Sequence, residues 1–471
     1  MERKHKEKSH RLEACATGQT LRLEACATRR GMALLMVLWA IVLAAVVVSA
    51  LQSASYSQAV AGREALARVR AYWAARGGVE ATIARLEFNT TSGSGTSAFE
   101  AMDEMAEVAE GEFVDSTYRV SYTGPNGEVL GARDAHSMLN INRLSAEQLG
   151  NLDPLMLDDT VASVLDWIDA DDEANPLGAE VGYYQGLQYP YEPRNTMMRT
   201  LGELEQVVGA MADEVRGEDW NQNGLLDPNE DDGAVSYPPD NADGILDAGW
   251  SGVLTAESID GGKTPSGDEP LDLTKASTGE VASRVGVDSG QADVIVKWAT
   301  EGENPTMGDF IRRRLSQLED TLNARNEVRG SRSRTPQLEV EQLGKLLDEC
   351  VIGEADAARF GEGEIPGKLN VNTAPAVVLE MVPEIGVTLA DSIVSEREGK
   401  AKGFASIAEL LEVPGLSRGN LAGMFDVLTV RSNVFLVRCK GRDERSGVEV
   451  EILATLDRSS SAVVIKGVRV Q

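Results

Sequence analysis

Met32-Ala33-Leu34-Leu35-Met36-Val37-Leu38-Trp39-Ala40-Ile41-Val42-Leu43-Ala44-Ala45-Val46-Val47-Val48-Ser49-Ala50-Leu51 runs for twenty residues without a charge. At about 1.5 Å per residue, a helix of this length crosses the ~30 Å hydrocarbon layer of a bilayer with its backbone polar groups paired internally. Residues 32–51 are therefore expected to span a membrane. Arg29 and Arg30 stand directly before the run, with Arg3, Lys4, Lys6, Lys8, Arg11 and Arg22 further back. The positive-inside bias keeps that end cytoplasmic and sends everything after Leu51 across. A cleaved secretory signal is the competing reading, because Val48-Ser49-Ala50 loosely fits the small-x-small rule. The run exceeds the usual 7–15 residue signal core, however, and a helical pattern continues from Arg63 to Glu87 with Leu66, Val69, Trp73, Ile83 and Leu86 on one side. One long helix, in lipid over 32–51 and exported over 52–88, is expected. Gly77 and Gly78 are its candidate kink, each costing ~1 kcal/mol relative to Ala unless close packing requires it.

Composition narrows the function. Asp and Glu number 75 against 45 Lys and Arg, a formal charge of −30 over 471 residues. Such a balance repels phosphate backbones unless basic groups gather on one face, so nucleic acid is not an expected partner. The length suits two or three domains. Three scattered histidines cannot form a His-rich cluster, and neither a Walker lysine loop nor H-E-x-x-H occurs, so no catalysis is expected. Cys15 and Cys26 sit in a duplicated RLEACAT block (Arg11 to Thr17 and Arg22 to Thr28), while Cys350 and Cys439 either pair in an oxidising compartment or stay buried as small apolar residues.

Tyr118, Val120 and Tyr122 alternate as a strand ending at the Gly124-Pro125-Asn126-Gly127 turn, within a strand region at 112–131. Asn433 to Lys440, Val448 to Leu456 and Val463 to Val470 read as three more strands, in a C-terminal region at 431–471. The fold class expected is α+β: the long helix packed on a small antiparallel sheet, with residues 132–430 inserted as an all-α domain. Inside the insert a degenerate repeat occurs at Leu139 to Leu149 (LNINRLSAEQL), Leu369 to Leu379 (LNVNTAPAVVL) and, more weakly, Leu271 to Val281 (LDLTKASTGEV). Each start is followed about twenty residues on by a second helix, at Val161 to Ile168, Leu389 to Arg397 and Ala292 to Ala299 respectively.

Asp219-Trp220-Asn221-Gln222-Asn223-Gly224-Leu225-Leu226-Asp227-Pro228-Asn229-Glu230 fills every ligand position of the twelve-residue calcium loop D-x-N-x-N-G-x-x-D-x-x-E. Oxygens of Asp219, Asn221, Asn223, the Leu225 carbonyl, Asp227 and Glu230 are the expected ligands of one structural calcium. A second, partial loop follows at Asp240 to Asp247, within an acidic stretch at 219–250, with Pro239 where its first carboxylate belongs. A further acidic cluster spans Asp166 to Asp172 and Glu180, readable either as a cation site or as a solvated face.

Arg29-Arg30-Gly31 before Met32 and the apolar run resembles the leader and cleavage point of type IV pilin-like precursors, which implies cutting between Gly31 and Met32 by the prepilin peptidase and removal of residues 1–31. Most of that family carry Glu fifth in the mature chain, where this sequence has Met36. The missing carboxylate, the helix end AYWAARGGVEATIARLE (Ala71 to Glu87), and Asp166-Trp167-Ile168-Asp169 with Gly178-Ala179-Glu180 and Tyr183-Tyr184 resemble the K-type minor pseudopilins of type II secretion systems. The resemblance covers the chain from Arg29 onward, except Glu257 to Pro366. It implies a type IV pilin-like fold with helix-hairpin-helix or SAM-like repeats in its insert. It also implies single-pass anchoring in inner-membrane lipid with a periplasmic body, I- and J-type partners, and a place at the pseudopilus tip. Val382-Pro383-Glu384-Ile385-Gly386, Gly403-Phe404 and Val413-Pro414-Gly415-Leu416 look like tandem helix-hairpin-helix modules, which elsewhere bind phosphates at a helix N-terminus. Two rival classes stay open: a membrane-tethered DNA receptor of the competence type, and an exported enzyme with calcium-stabilised loops.

Overall fold

The computed structural model describes residues 3–92, 98–124, 127–152, 155–261, 264, 268–325, 335–353, 365–459 and 462–471, with long-helix side chains described over 32–88. Pro125 and Asn126 of the expected turn, and the side chains of the RLEACAT duplication with Cys15 and Cys26, lie outside that description. The chain forms two compact units, residues 1–69 and 70–471, and one helix, Arg3–Ser92, runs through their boundary. In the first unit every side chain from Met32 to Leu51 is exposed.

In the second unit a seven-stranded antiparallel sheet runs in the order Glu110–Phe113, Ser116–Gly124, Val434–Asp443, Glu449–Asp457, Val464–Val470. Gly127–Leu130 adds to Ser116–Gly124, and Arg133–Asp134 to Val434–Asp443. The central strand, Val434–Asp443, alternates side chains toward residues 70–88 of the long helix, burying Phe435, Val437 and Cys439 with Val79, Leu86 and Met105. Both Cys350 and Cys439 are free thiols, and burial pushes each up to about 12.

Of the expected apolar stripe only Ile83 and Leu86 meet the sheet core, and small residues form the rest of the contact face. Ala71, Ala74, Ala75, Val79, Thr82 and Leu86 are buried, whereas Leu66, Val69 and Trp73 are exposed. At about 100° per residue, Trp73 lies opposite the Ala71, Ala75 and Val79 face. Contact distance decides this. A Cβ on Gly441 of the central strand would run into the Ala71 carbonyl and the Ala75 amide, and one on Gly78 would strike Cys439 Sγ and the Tyr118 ring. Gly77 is likewise filled from outside, by the Phe113 ring 2.7 Å from where its Cβ would stand. The two glycines are thus contact positions and the helix passes through them without a break.

The insert holds three copies of one unit. Leu139–Asn140 pairs in parallel with Leu254–Thr255, Leu271–Asp272 with Cys350–Val351, and Leu369–Asn370 with Leu428–Thr429. In each copy the second residue turns the chain by accepting the N–H two residues on: Asn140 from Asn142 at 3.0 Å, Asp272 from Thr274 at 3.0 Å, Asn370 from Asn372 at 2.9 Å. A short helix follows, capped by Ser145 at Ala146–Leu149 and by Ser277 at Thr278–Val285, and entered from Pro375 at Ala376–Glu380. The second helices are Asp158–Ile168, Ser289–Glu301 and Gly386–Gly399. The middle copy, faintest in sequence, therefore has the same layout as its neighbours. Residues 257–366 are that extra copy, closed at its neck by an antiparallel pair, Ile259–Asp260 with Ile365–Pro366. These four strand pairs correct the all-α expectation: each copy needs a place where its two ends pair their backbone groups. All three copies share one core, from Leu139 to Val430, with Trp167, Trp250, Trp298, Phe310 and Phe404 buried in it.

Asp134 joins sheet to insert. It is 1% exposed; Oδ1 accepts from His136 N at 2.8 Å, and Oδ2 from Thr373 Oγ1, Ser432 Oγ and Asn370 Nδ2.

Replacing Gly441 by Val is expected to cost on the order of 2–3 kcal/mol by overpacking. Gly467→Ala, where nothing stands within 4 Å, should stay within ~0.5 kcal/mol; thermal unfolding of the full chain in detergent compares them. Asp272 is pushed up by burial, but hydrogen bonds from Thr274 and Gly353 and the Lys275 ammonium outweigh this and hold it down at about 2. A carboxylate depressed by folding stabilises above its unfolded value of 3.8 and loses that contribution as pH falls through about 2. Asp272→Asn should thus cost about 1–2 kcal/mol near neutrality, a gap that closes as an acid titration approaches pH 2.

Candidate metal centre

Residues 219–230 form a tight turn held by side-chain-to-backbone hydrogen bonds. Asp219 Oδ1 accepts from Asn223 N at 2.9 Å and Oδ2 from Gly224 N at 2.8 Å. Asn221 Oδ1 accepts from Asn223 N at 2.9 Å, and Asn223 Oδ1 from Leu225 N at 2.7 Å. Gly224, at φ +70°, makes the left-handed turn that a side chain would strain. Glu230 closes the ring, taking Trp220 N at 3.1 Å and Asp227 N at 3.0 Å on its two oxygens. Asp219, Asn223 and Glu230 are buried.

Charge is in excess here. Burial pushes Glu230 up to about 7, with the nearby Asp219 and Asp227 carboxylates adding to the rise that the Asp227 N–H opposes. Burial also raises Asp219, against the N–H groups of Gly224 and Asn223. The amides of Asn221 and Asn223 both donate to Asp227 Oδ2, at 2.7 and 2.9 Å, supplying the positive ends this carboxylate faces. An oxygen donor set with three carboxylates fits a hard divalent cation. Asp219, Asn221, Asn223, Asp227 and Glu230 would hold it through side chains and Leu225 through its carbonyl.

The loop is fastened to the sheet. Thr123 N donates to Gly224 O at 3.1 Å; Arg469 Nη2 donates to Asn221 O at 2.6 Å and Gln222 O at 3.0 Å, and Gln471 Nε2 to Asn221 O at 3.2 Å. On its other side Arg216, paired to Glu205 at 2.6 and 2.7 Å, covers the Trp220 ring, which meets Tyr237 edge-on. A cation here would stiffen the joint between insert and last strand.

The partial loop repeats the same bonds with one substitution. Asn241 Oδ1 accepts from Asp243 N and Asp243 Oδ1 from Ile245 N, at 2.9 and 2.8 Å. Gly244 N, which would seek a carboxylate at Pro239, instead donates to Asp231 Oδ1 at 3.0 Å. Glu218 bridges the loops, accepting from Asn241 N and Asp247 N. Asp231 and Glu218 were not among the residues singled out from sequence; Asp231 was signalled only by the run Glu230-Asp231-Asp232, and Glu218 only by its place before Asp219.

Gly31 and Met32 lie inside the long helix, and the Met32 side chain is exposed. At the helix-hairpin-helix glycines, Gly386 has φ +60° and Gly415 φ +89°, yet the nearby basic groups face the protein. Arg397 Nη1 donates to Val371 O at 2.8 Å and to Ala374 O, Lys400 pairs with Glu409 and Glu412, and Arg418 donates to Ile311 O. Gly415-Leu416-Ser417-Arg418-Gly419 has the G-x-S-x-G spacing of a nucleophile elbow. Ser417 instead caps the helix Arg418–Met424, its hydroxyl exchanging bonds with Asn420.

Residues 131–217 match the family described as type II secretion system (T2SS), protein K, and residues 366–428 match the helix-hairpin-helix motif. No curated protein matches the chain. A solved structure similar to it is a chain of the GspK-GspI-GspJ complex from the enterotoxigenic Escherichia coli type 2 secretion system, with 12% identity, TM-score 0.45, and coverage of 87% of this chain and 99% of that one.

Calcium at a hundredfold its Kd should raise the stability of the full chain in detergent by about 2.7 kcal/mol per site that binds it only when folded. Chelator should reverse the gain, and Glu230→Gln should lose most of the part due to this loop; thermal unfolding with and without EDTA measures both.

Proposed function

We propose that this chain, whose residues 131–217 are a type II secretion system protein K domain, is a minor pseudopilin of that system. The observation that carries this is the K domain in one chain with an N-terminal helix apolar and long enough to cross a bilayer. After cleavage between Gly31 and Met32 by the prepilin peptidase, residues 32–51 hold the subunit in inner-membrane lipid and the body stands in the periplasm. The apolar side chains from Met32 to Leu51 have no protein cover, so they need lipid or other helices around them. The fold is read as pilin-like: long helix on antiparallel sheet, carrying the repeat domain as an insertion.

Its action is assembly, without catalysis. Extracted from lipid against the helices of I- and J-type minor pseudopilins, the subunit sits at the pseudopilus tip. Met36 in place of a glutamate leaves it nothing to pair with an amine above, and the broad three-copy insert blocks further addition. Leu66 and Val69 in the first unit, and Trp73 in the second, are exposed apolar groups suited to those neighbours. The calcium loop keeps the insert braced on the last strand. DNA reception is the weaker reading, because Arg397, Lys400 and Arg418 are already engaged by protein oxygens.

Mass spectrometry of the native protein should find Met32 at its N-terminus, and Gly31→Leu should keep residues 1–31 attached and lower secretion at least tenfold. A mature chain beginning at Leu51 and free of lipid overturns the reading.

A further inference from the structure

Three carboxylates outside the loops converge with nothing positive between them. Oxygens of Asp166, Asp169 and Glu180 all lie within 4.8 Å of one another. Asp166 is fully buried in the last turn of the helix Asp158–Ile168, Asp169 follows as its C-cap, and Glu180 is 5% exposed. The C-terminal end of a helix carries partial negative charge, which adds to the repulsion. Among the described residues, Asp166 accepts from Asn175, through its N at 3.1 Å and its Nδ2 at 2.6 Å, and Asp169 from Asp171 N at 3.4 Å. Among the described residues no Lys or Arg forms an ion pair with the three.

Glu180 is the independent sign. Both its oxygens are buried and neither forms a well-aligned hydrogen bond, the N–H groups that open Val181–Gln185 included. Its side chain is turned to Asp166 and Asp169 instead. The site is built from behind: a Cβ on Gly178 would collide with Asp166 Oδ2, and Trp167 and Tyr184 stack edge-on at 5.4 Å. An ionised carboxylate buried unpaired is costly, and a shared cation removes that cost.

We propose that Asp166, Asp169 and Glu180 bind a hard divalent cation, for which Ca²⁺ is the probe, at a site separate from the 219–230 loop. The ligands are all oxygen, which selects a hard cation. Oxygens lying within 4.8 Å of one another are close enough to share one hard cation. The cation locks the end of the first repeat's second helix to the segment beginning at Glu180.

The test is equilibrium binding of Ca²⁺ to the full chain in detergent, after chelator treatment, in wild type and in Glu180→Gln, Asp169→Asn and Glu230→Gln. Glu230→Gln should retain a calcium site that Glu180→Gln loses or weakens at least tenfold. Asp169→Asn, at a half-buried position, should weaken the same site and serves should Glu180→Gln fail to fold. Unchanged stoichiometry and affinity in Glu180→Gln or Asp169→Asn overturns the proposal, as does loss of all calcium in Glu230→Gln, and either result leaves the pseudopilin reading untouched. A wild-type chain that binds calcium only at the loop identifies the three as carboxyls sharing a proton, and also overturns it.

Discussion

The approach of the long helix to the central strand at Gly441 is the constraint from which the second unit follows. Backbone lies on backbone there: Ala71 and Ala75 leave no room for a Cβ, and one turn on Gly78 accepts Cys439 and Tyr118. A helix this close to a sheet buries the strand's inward face with small residues, so Phe435, Val437 and Cys439 supply the bulk from the sheet side. Because the central strand is fixed, so are the strands on either side of it. One side carries Arg133–Asp134 and through Asp134 the third repeat; the other ends in Arg469 and Gln471, which clamp the 219–230 loop.

The acidity of the chain acquires a local meaning in this frame. Its excess carboxylates do not all face water. Asp219 and Glu230 are buried in one loop, Asp231 and Glu218 knit a second loop to it, and Asp166 and Glu180 are buried in a third place. Each group lies where the insert must be held in one orientation: against the last strand, or between successive segments of the first repeat. Oxygen clusters of this kind are repulsive alone and would become cohesive around a hard cation. The geometry opposes phosphate binding, since the cations nearest the hairpin glycines are spent on internal carbonyls and carboxylates.

The repeat shows what a short motif can and cannot convey. Leu139-Asn140, Leu271-Asp272 and Leu369-Asn370 begin each copy because an apolar residue anchors in the core while Asn or Asp bends the chain through its own side chain. That local chemistry is visible in sequence. The partners that close each copy, Leu254-Thr255, Cys350-Val351 and Leu428-Thr429, lie about 60 to 115 residues downstream and carry no pattern of their own. Parallel pairing across such distances is decided by the core that brings the ends together.

By itself the sequence determined the long apolar helix, the strands at 116–124 and 434–470, and the turn of the 219–230 segment, because each rests on periodicity or on side chains bonding to backbone a few residues away. On the long helix it marked Ile83 and Leu86, which pack in the sheet core, together with Leu66, Val69 and Trp73, which are exposed, whereas close approach selects Ala71, Ala75 and Gly78. Tertiary structure decided that face, established the middle copy of the repeat that the sequence shows only faintly, and put Asp231 in place of the carboxylate missing at Pro239. All three depend on distances between residues far apart in the chain or hidden in its turns, which hydrophobicity and local spacing do not encode.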